Sequence, residues 1–310
     1  MNPGPPPSLP SRGLRVKSPP LYLAELRALF SWIRSSPRCV EPISLDGRAL
    51  VEVVPLLEIA EGIYAVADLP VLYVPRFRTL IVADIHLGFE EEMSSKGIYL
   101  PRVQLKKACE IVERAASITR ANTLIVAGDL KHKFEKLGRR EAKDVREFVE
   151  FATKIFDRIV LVRGNHDTFV YWLRRKYGIE IYDKLWLGDI LVVHGHRELD
   201  PYDNPKIVVL GHEHPSITLR DVLGSLSKVP CFLVTPLRRG CIAVVLPACG
   251  VYQSGTPVTT MRETYLSPIL RMEAVLEEAQ PFALIEGEGL FALPRLKDLE
   301  EVLKGFEYLI

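Results

Sequence analysis

Five short polar clusters in this chain each end a run of apolar residues. They are Asp84 and His86 in DIHLG, Gly128 and Asp129 in GDLKH, Asn165, His166 and Asp167 in RGNHD, His194 and His196 in HGH, and His212 and His214 in GHEHP. All seven histidines lie between His86 and His214, a window of 129 of the 310 positions. Imidazole, carboxylate and amide oxygen without thiolate suit Mn²⁺, Fe²⁺ or Zn²⁺. Six or seven such groups exceed the four that close a tetrahedral zinc site. They suit two metal ions about 3.5–4 Å apart, a pair that clamps the attacking and leaving oxygens of phosphoryl transfer. In such a site a metal-bridged hydroxide is the nucleophile at neutral pH, and a histidine outside the ligand set protonates the leaving oxygen.

Chemistry of this kind needs a frame that brings the clusters together. The apolar runs Thr79–Ala83, Thr123–Ala127, Arg158–Val162, Ile190–Val193 and Lys206–Leu210 precede the five clusters and read as strands, as do Ile63–Ala67, Val71–Val74, Cys231–Thr235 and Cys241–Leu246. Apolar residues at helical spacing mark Arg102–Ser117 (Val103, Ala108, Ile111, Val112, Ala115) and Arg140–Lys154. Alternating strands and helices predict an α/β layered fold, with strands apolar on both faces. Ligands of such sheets bind outside the carboxyl ends of the strands, so five strands of one sheet would deliver all five clusters to one site. Gly88 and Gly128 are expected to permit tight turns there. The last sixty residues read more weakly, as helices near Arg271–Ala279 and Arg295–Lys304.

The five motifs, in this order, resemble those of the calcineurin-like metallophosphoesterases, and within that superfamily are most similar to SbcD-type repair nucleases and smaller SbcD-related, ligase-associated phosphoesterases. The resemblance covers about residues 55–255. It implies a four-layer αββα sandwich with two divalent metals, manganese first and iron or zinc as alternatives, at one sheet edge. It implies that Asp84, His86 and His214 hold the first metal, that Asp129 bridges, and that Asn165, His194 and His212 hold the second. His166 matches the general acid and Asp167 the carboxylate that orients it. Arg163 is placed either near the phosphate or in a surface ion pair. His132 and His196 either hydrogen-bond to the ligands or touch substrate. The implied activity is hydrolysis of phosphodiester bonds, with DNA or another nucleic acid as substrate. Small nucleotides or cyclic nucleotides are the alternative, and a non-catalytic scaffold is a third reading, against which the presence of His166 and of all seven ligand positions speaks. A DNA-repair partner and a homodimer are left open. Only roughly 95 residues follow the last motif, too few for the DNA-capping domain and ATPase-binding segment of the larger nucleases.

Composition adds bounds. Forty Lys and Arg against thirty-nine Asp and Glu give a formal charge of +1, which excludes a broad electrostatic footprint for nucleic acid. That total is uneven. Arg12, Arg15, Lys17, Arg27, Arg34 and Arg38 against Glu25 give residues 1–40 a net +5, leaving −4 for the rest. Two divalent ions would offset that −4 locally. Lys131, Lys133, Lys136, Arg139 and Arg140 form a basic group beside GDL, facing either a phosphate backbone or solvent at a helix start. Glu90, Glu91 and Glu92 read as a solvated loop or helix start.

Seven of the first twenty residues are proline, so residues 1–50 are expected to be a Pro-rich basic arm with a short helix at Leu21–Arg34. Residues 51–260 would be the catalytic domain, and residues 261–310 a helical extension packed on it. The start also loosely resembles a transit peptide, or an upstream start codon. No stretch reads as a membrane span, and five cysteines without CxxC spacing predict a cytoplasmic protein without disulfides. The chain has only four Asn and three Gln. Scarcity of thermolabile amides is a feature of proteins from hot-growing organisms. A calorimetric melting temperature above the roughly 45–65 °C of mesophile domains is therefore expected, and a value within that range would refute the reading.

Overall fold

Runs such as Thr79–Val82 (TLIV) and Ile207–Leu210 (IVVL) have no polar face to give to water, so each strand must be covered on both sides. The structure, a computed structural model, shows how this is met; it describes residues 55–135, 137–220 and 226–299. The expected arm, the Leu21–Arg34 helix and Lys136 lie outside the described residues.

Two sheets provide the frame. The first runs β1 (Leu56–Ala60), β2 (Ile63–Val66), β3 (Leu72–Val74), β4 (Thr79–Val82), β5 (Thr123–Val126), β6 (Arg158–Val162) and β7 (Glu180–Tyr182) in spatial order. β1 to β4 pair antiparallel, whereas β4 to β7 pair parallel. Helices α1 (Phe89–Ser95) and α2 (Gln104–Thr119) connect β4 to β5, α3 (Arg139–Ala152) connects β5 to β6, and α4 (Trp172–Tyr177) connects β6 to β7. The second sheet contains β8 (Leu185–Leu187), β9 (Ile190–Val193), β10 (Ile207–Leu210), β11 (Pro215–Arg220), β12 (Leu226–Pro236), β13 (Ile242–Val245) and β14 (Thr256–Pro257). In space β10 lies between β9 and β13 and runs parallel to both.

Side chains alternate between two cores, as the pleat requires. Leu80, Val82, Leu124, Val126 and Leu161 meet Ala108, Val112 and Ala115 of α2 and Val145, Phe148 and Val149 of α3. Their neighbours Ile81, Ala83, Ile125, Ala127, Val160 and Val162 meet Ile190, Val192, Ile207, Val209 and Val244 of the second sheet. On the far face of that sheet Leu191, Val208 and Val245 are also buried. The segment 262–279, with the short helix α5 (Pro268–Glu273), is fastened to this sheet by Val275 N–H donating to Pro236 O (2.8 Å) and Ser267 Oγ–H to Gly195 O (2.7 Å). The α/β/β/α order that the resemblance implies is thus present, with a thin outer layer.

Two expectations are corrected. The five site-bearing strands belong to two sheets, β4, β5 and β6 to the first and β9 and β10 to the second. A buried strand has the same apolar run in either sheet, so sequence could not separate them. The C-terminal region is also not a helical extension. It holds α5 and a 3₁₀ turn at Leu276–Glu278, then the hairpin β15 (Gln280–Ile285) and β16 (Gly289–Ala292), whose first strand pairs with β12. PFALI lacks helical spacing, and Gly287 takes the positive φ (+81°) of the hairpin turn. The second sheet therefore continues past residue 261.

Candidate active site

The polypeptide leaves each of three strands through a left-handed turn. Asp84 and His86 after β4, Asp129 after β5, and His212 and His214 after β10 all have φ between +48° and +66°. Asp and His tolerate this region better than most residues, yet each such residue costs about 1 kcal/mol or more. The turns are held by one another. Asp84 N–H donates to Gly128 O (3.0 Å), His86 N–H to Asp129 O (2.9 Å), and His212 N–H to Asp84 Oδ2 (2.9 Å). Gly128 is required twice over: its φ is +92°, and a Cβ there would lie 2.1 Å from His194 Nδ1.

Ten side chains converge where the carboxyl ends of the two sheets meet. Asp84, His86 and His214 bring ligand atoms within 4.8 Å of one another, and so do Asp129, His194 and His212. Asp129 Oδ2 joins the two sets, 3.7 Å from His86 Nε2 and 3.3 Å from His194 Nε2. Asn165 Oδ1 lies 3.0 Å from that same His194 nitrogen. His166 stands beside them with Nε2 3.8 Å from Asp129 Oδ2. His132 reaches His86, and His196 packs on His194 with ring centroids 5.3 Å apart.

These groups fit metal ions on their own chemistry. His194 Nδ1–H donates to Ala127 O at 3.0 Å, which turns Nε2 toward two acceptors, Asn165 Oδ1 and Asp129 Oδ2. Two oxygens aimed at that nitrogen call for positive charge between them, carried by the ring's own proton or by a metal ion in its place. Burial alone would lower the His194 pKa, but the Asp129 carboxylate, with Asp84 behind it, raises it to about 9. The other half is similar: Asp84 Oδ1 and His214 Nε2 are buried, lie 3.1 Å apart and have no hydrogen bond. Burial pushes His86 down to about 3 and His212 to about 4, so both are neutral and can ligate.

Residues 77–216 match the family described as calcineurin-like phosphoesterase. The domain they form belongs to that family. The nuclease MPE of Pseudomonas putida superposes with a TM-score of 0.50 at 21% identity, over 77% of this chain and 98% of that one. At that identity the likeness speaks for the fold alone. YfcE, a phosphoesterase from E. coli, gives a TM-score of 0.36 at 16% identity, over 70% of this chain and 98% of its own. No curated protein matches the chain.

Several residues of the phosphoesterase domain stand elsewhere than their sequence suggested. Asp167 does not orient the imidazole of His166. Its carboxylate accepts N–H bonds from Asp129 (2.8 Å), Leu130 (3.0 Å) and Gly164 (2.8 Å), and so fixes the turn that carries Asp129. The His132 carbonyl is what His166 Nδ1 faces. Arg163 takes the surface alternative, ion-paired to Asp183 with its guanidinium 5.4 Å from the Tyr171 ring centre. The basic group beside GDL is divided, with Arg139 and Arg140 exposed at the start of α3. Lys131 is fully buried with its ammonium on Lys133 O, and Lys133 pairs with Glu91 at 3.4 Å.

The run Glu90–Glu92 does start a helix, α1, but successive positions aim its members at different neighbours instead of at solvent. Glu90 caps α2 through Gln104 N–H (2.9 Å), and Glu91 caps α3 through Glu141 N–H (3.0 Å). Glu92 Oε2 lies 3.3 Å from His132 Nε2, and His132 Nδ1 lies 3.3 Å from His86 Nδ1. With His86 Nε2 turned to the metal-site carboxylates, one order of donation satisfies the chain: His86 to His132, and His132 to Glu92. Glu92 thus holds the tautomer that frees His86 Nε2. Glu92→Ala is expected to weaken Mn²⁺ binding about 10–100-fold, while Glu92→Gln, whose oxygen still accepts, stays near the unmodified protein. Equilibrium dialysis measures both, and equal loss in the two variants would refute the relay.

Proposed function

We propose that this chain is a phosphodiesterase that works with two divalent metal ions, acts on DNA or another nucleic acid and belongs with the SbcD-related phosphoesterases. The observation that carries the reading is the junction at Asp129, whose Oδ2 faces both ligand sets while its Oδ1 accepts the His166 N–H at 2.9 Å. Asp84, His86 and His214 would hold one ion, and Asn165, His194 and His212 the other, with Asp129 between them. The all-oxygen-and-nitrogen donor set suits manganese, with iron or zinc as alternatives. Bound there, the ions supply Lewis acidity toward phosphoryl oxygens and lower the pKa of water.

The remaining steps fall to the chain itself. His166, its Nδ1 toward the His132 carbonyl, presents Nε2 on the side of Asp129 and gives a proton to the leaving oxygen. Asp167 keeps the Asp129 turn in place. His132 and Glu92 fix His86, and the half-buried ring of His196 packs behind His194. The catalytic unit is residues 51–260 with the hairpin β15–β16 on its second sheet. The four described cysteines are free. Among the described residues no helix is long and apolar enough to cross a membrane.

The loss of Lys131 and Lys133 from the basic group favours a second reading, hydrolysis of small phosphodiesters such as cyclic nucleotides, because one is buried and the other ion-paired instead of facing a polynucleotide backbone. With Mn²⁺, turnover of single-stranded DNA, duplex DNA, cyclic nucleotides and a chromogenic bis-ester should be compared. Preference for DNA supports the first reading, selectivity for a small ester the second, and absence of turnover on every member would sink both.

A further inference from the structure

We propose that Phe134 and the Arg163–Tyr171 pair form a stacking subsite for unpaired nucleobases flanking the scissile phosphate. This rests on the phosphodiesterase reading above and specifies the form of its substrate. The ring of Phe134 lies on the imidazole of His166, with centroids 3.6 Å apart at 36°, and remains 50% exposed. Thr168 Oγ–H donates to Phe134 O, tying this loop to the segment that carries His166. Further along that segment Phe169 and Tyr171 are 61% and 53% exposed, and Phe169 is a bulky residue at φ +59°. Such a backbone is unfavourable for phenylalanine and here turns an aromatic ring toward water instead of the core.

The cations are interleaved with these rings. Arg163 lies over Tyr171, and α4 begins one residue later with Arg174 and Arg175 both exposed. Aromatic faces among guanidinium groups are what single-stranded nucleic acid requires, because every base has a stackable face and every linkage a negative charge. An apolar peptide would gain nothing from the arginines. A duplex keeps its base faces stacked on one another and cannot offer them to a side chain. The subsite also touches the proposed catalytic histidine directly, so a base seated on Phe134 would lie next to the phosphate being cleaved. Nothing in the sequence marks these rings as a set. Phe134 is separated from Tyr171 by 36 intervening positions, and only the fold brings their loops together.

Binding of the full chain with Ca²⁺ to three labelled probes, followed by fluorescence anisotropy, tests the subsite. The probes are a 12-mer of thymidylate, an abasic 12-mer with the same phosphates, and the thymidylate strand in duplex. The thymidylate strand is expected to bind at least about tenfold more tightly than either other probe. Phe134→Leu and Tyr171→Ala should each shrink that advantage several-fold, and the double variant should erase it. Equal binding of the abasic and thymidylate strands, preference for the duplex, or an undiminished advantage in the double variant would overturn the proposal. Turnover of any member of the substrate panel with Mn²⁺ reports separately on the phosphodiesterase reading. Turnover without base preference sinks the subsite alone, and base preference without turnover sinks the phosphodiesterase reading alone.

Discussion

Asp129→Asn is expected to lower turnover by about 10³-fold or more, against any substrate the unmodified protein accepts, without unfolding the domain. The amide has the shape of the carboxylate, and its oxygen can still accept the His166 N–H that Oδ1 accepts at 2.9 Å. The change falls on the other atom. Oδ2 faces His194, His86 and His166 nitrogens at 3.3, 3.7 and 3.8 Å. An NH₂ in that place puts a donor where a cation should sit and removes the charge shared by both ligand sets. Metal content should therefore fall from two ions per chain to one or none, as measured by inductively coupled plasma mass spectrometry after dialysis against Mn²⁺. A thermal transition close to the unmodified one would show that the loss is local. Undiminished activity would refute the two-metal site, and two ions retained would refute the shared role of Asp129.

The reach of sequence is well shown by the same residue. Asp129 was legible because it ends the buried run Thr123–Ala127, and a carboxylate just past an apolar strand rarely has a packing purpose. The same logic found Asp84, His86, Asn165, His194, His212 and His214, which the structure gathers into two sets around Asp129. Partnership across the fold was not legible. Asp167 follows His166 in the chain, which suggested that it orients the ring, but it faces the backbone of the β5 turn instead. Adjacent residues in a turn point apart, and no spacing rule reveals which distant N–H groups await a carboxylate. Glu90, Glu91 and Glu92 do start a helix, but their partners were hidden for a related reason. Three acids in a first helical turn usually face water, whereas here α2, α3 and His132 supply a partner for each. Sheet membership was hidden as well, since pairing register, not composition, assigns β9 and β10 to the second sheet.

His166→Gln carries the second large effect, and its size should depend on the leaving group. His166 is held by His132 O on one side and lies under Phe134 on the other, with Nε2 on the Asp129 side. Glutamine can reach much of that space but has no proton to give at neutral pH. A deoxynucleoside leaving as its alkoxide needs protonation as the bond breaks, so kcat on DNA is expected to fall about 10²–10⁴-fold. A p-nitrophenolate leaves unaided, so the chromogenic bis-ester should lose far less. Metal content should remain at the unmodified level, because none of the ligand atoms assigned to the ions belongs to His166. An equal fall on both substrates would mean that the residue binds phosphate without protonating the leaving group. Loss of metal would place it among the ligands, where His86 and His132 already offer it two neighbouring nitrogens. Leaving-group dependence separates an acid from a ligand in a way that a single activity measurement cannot.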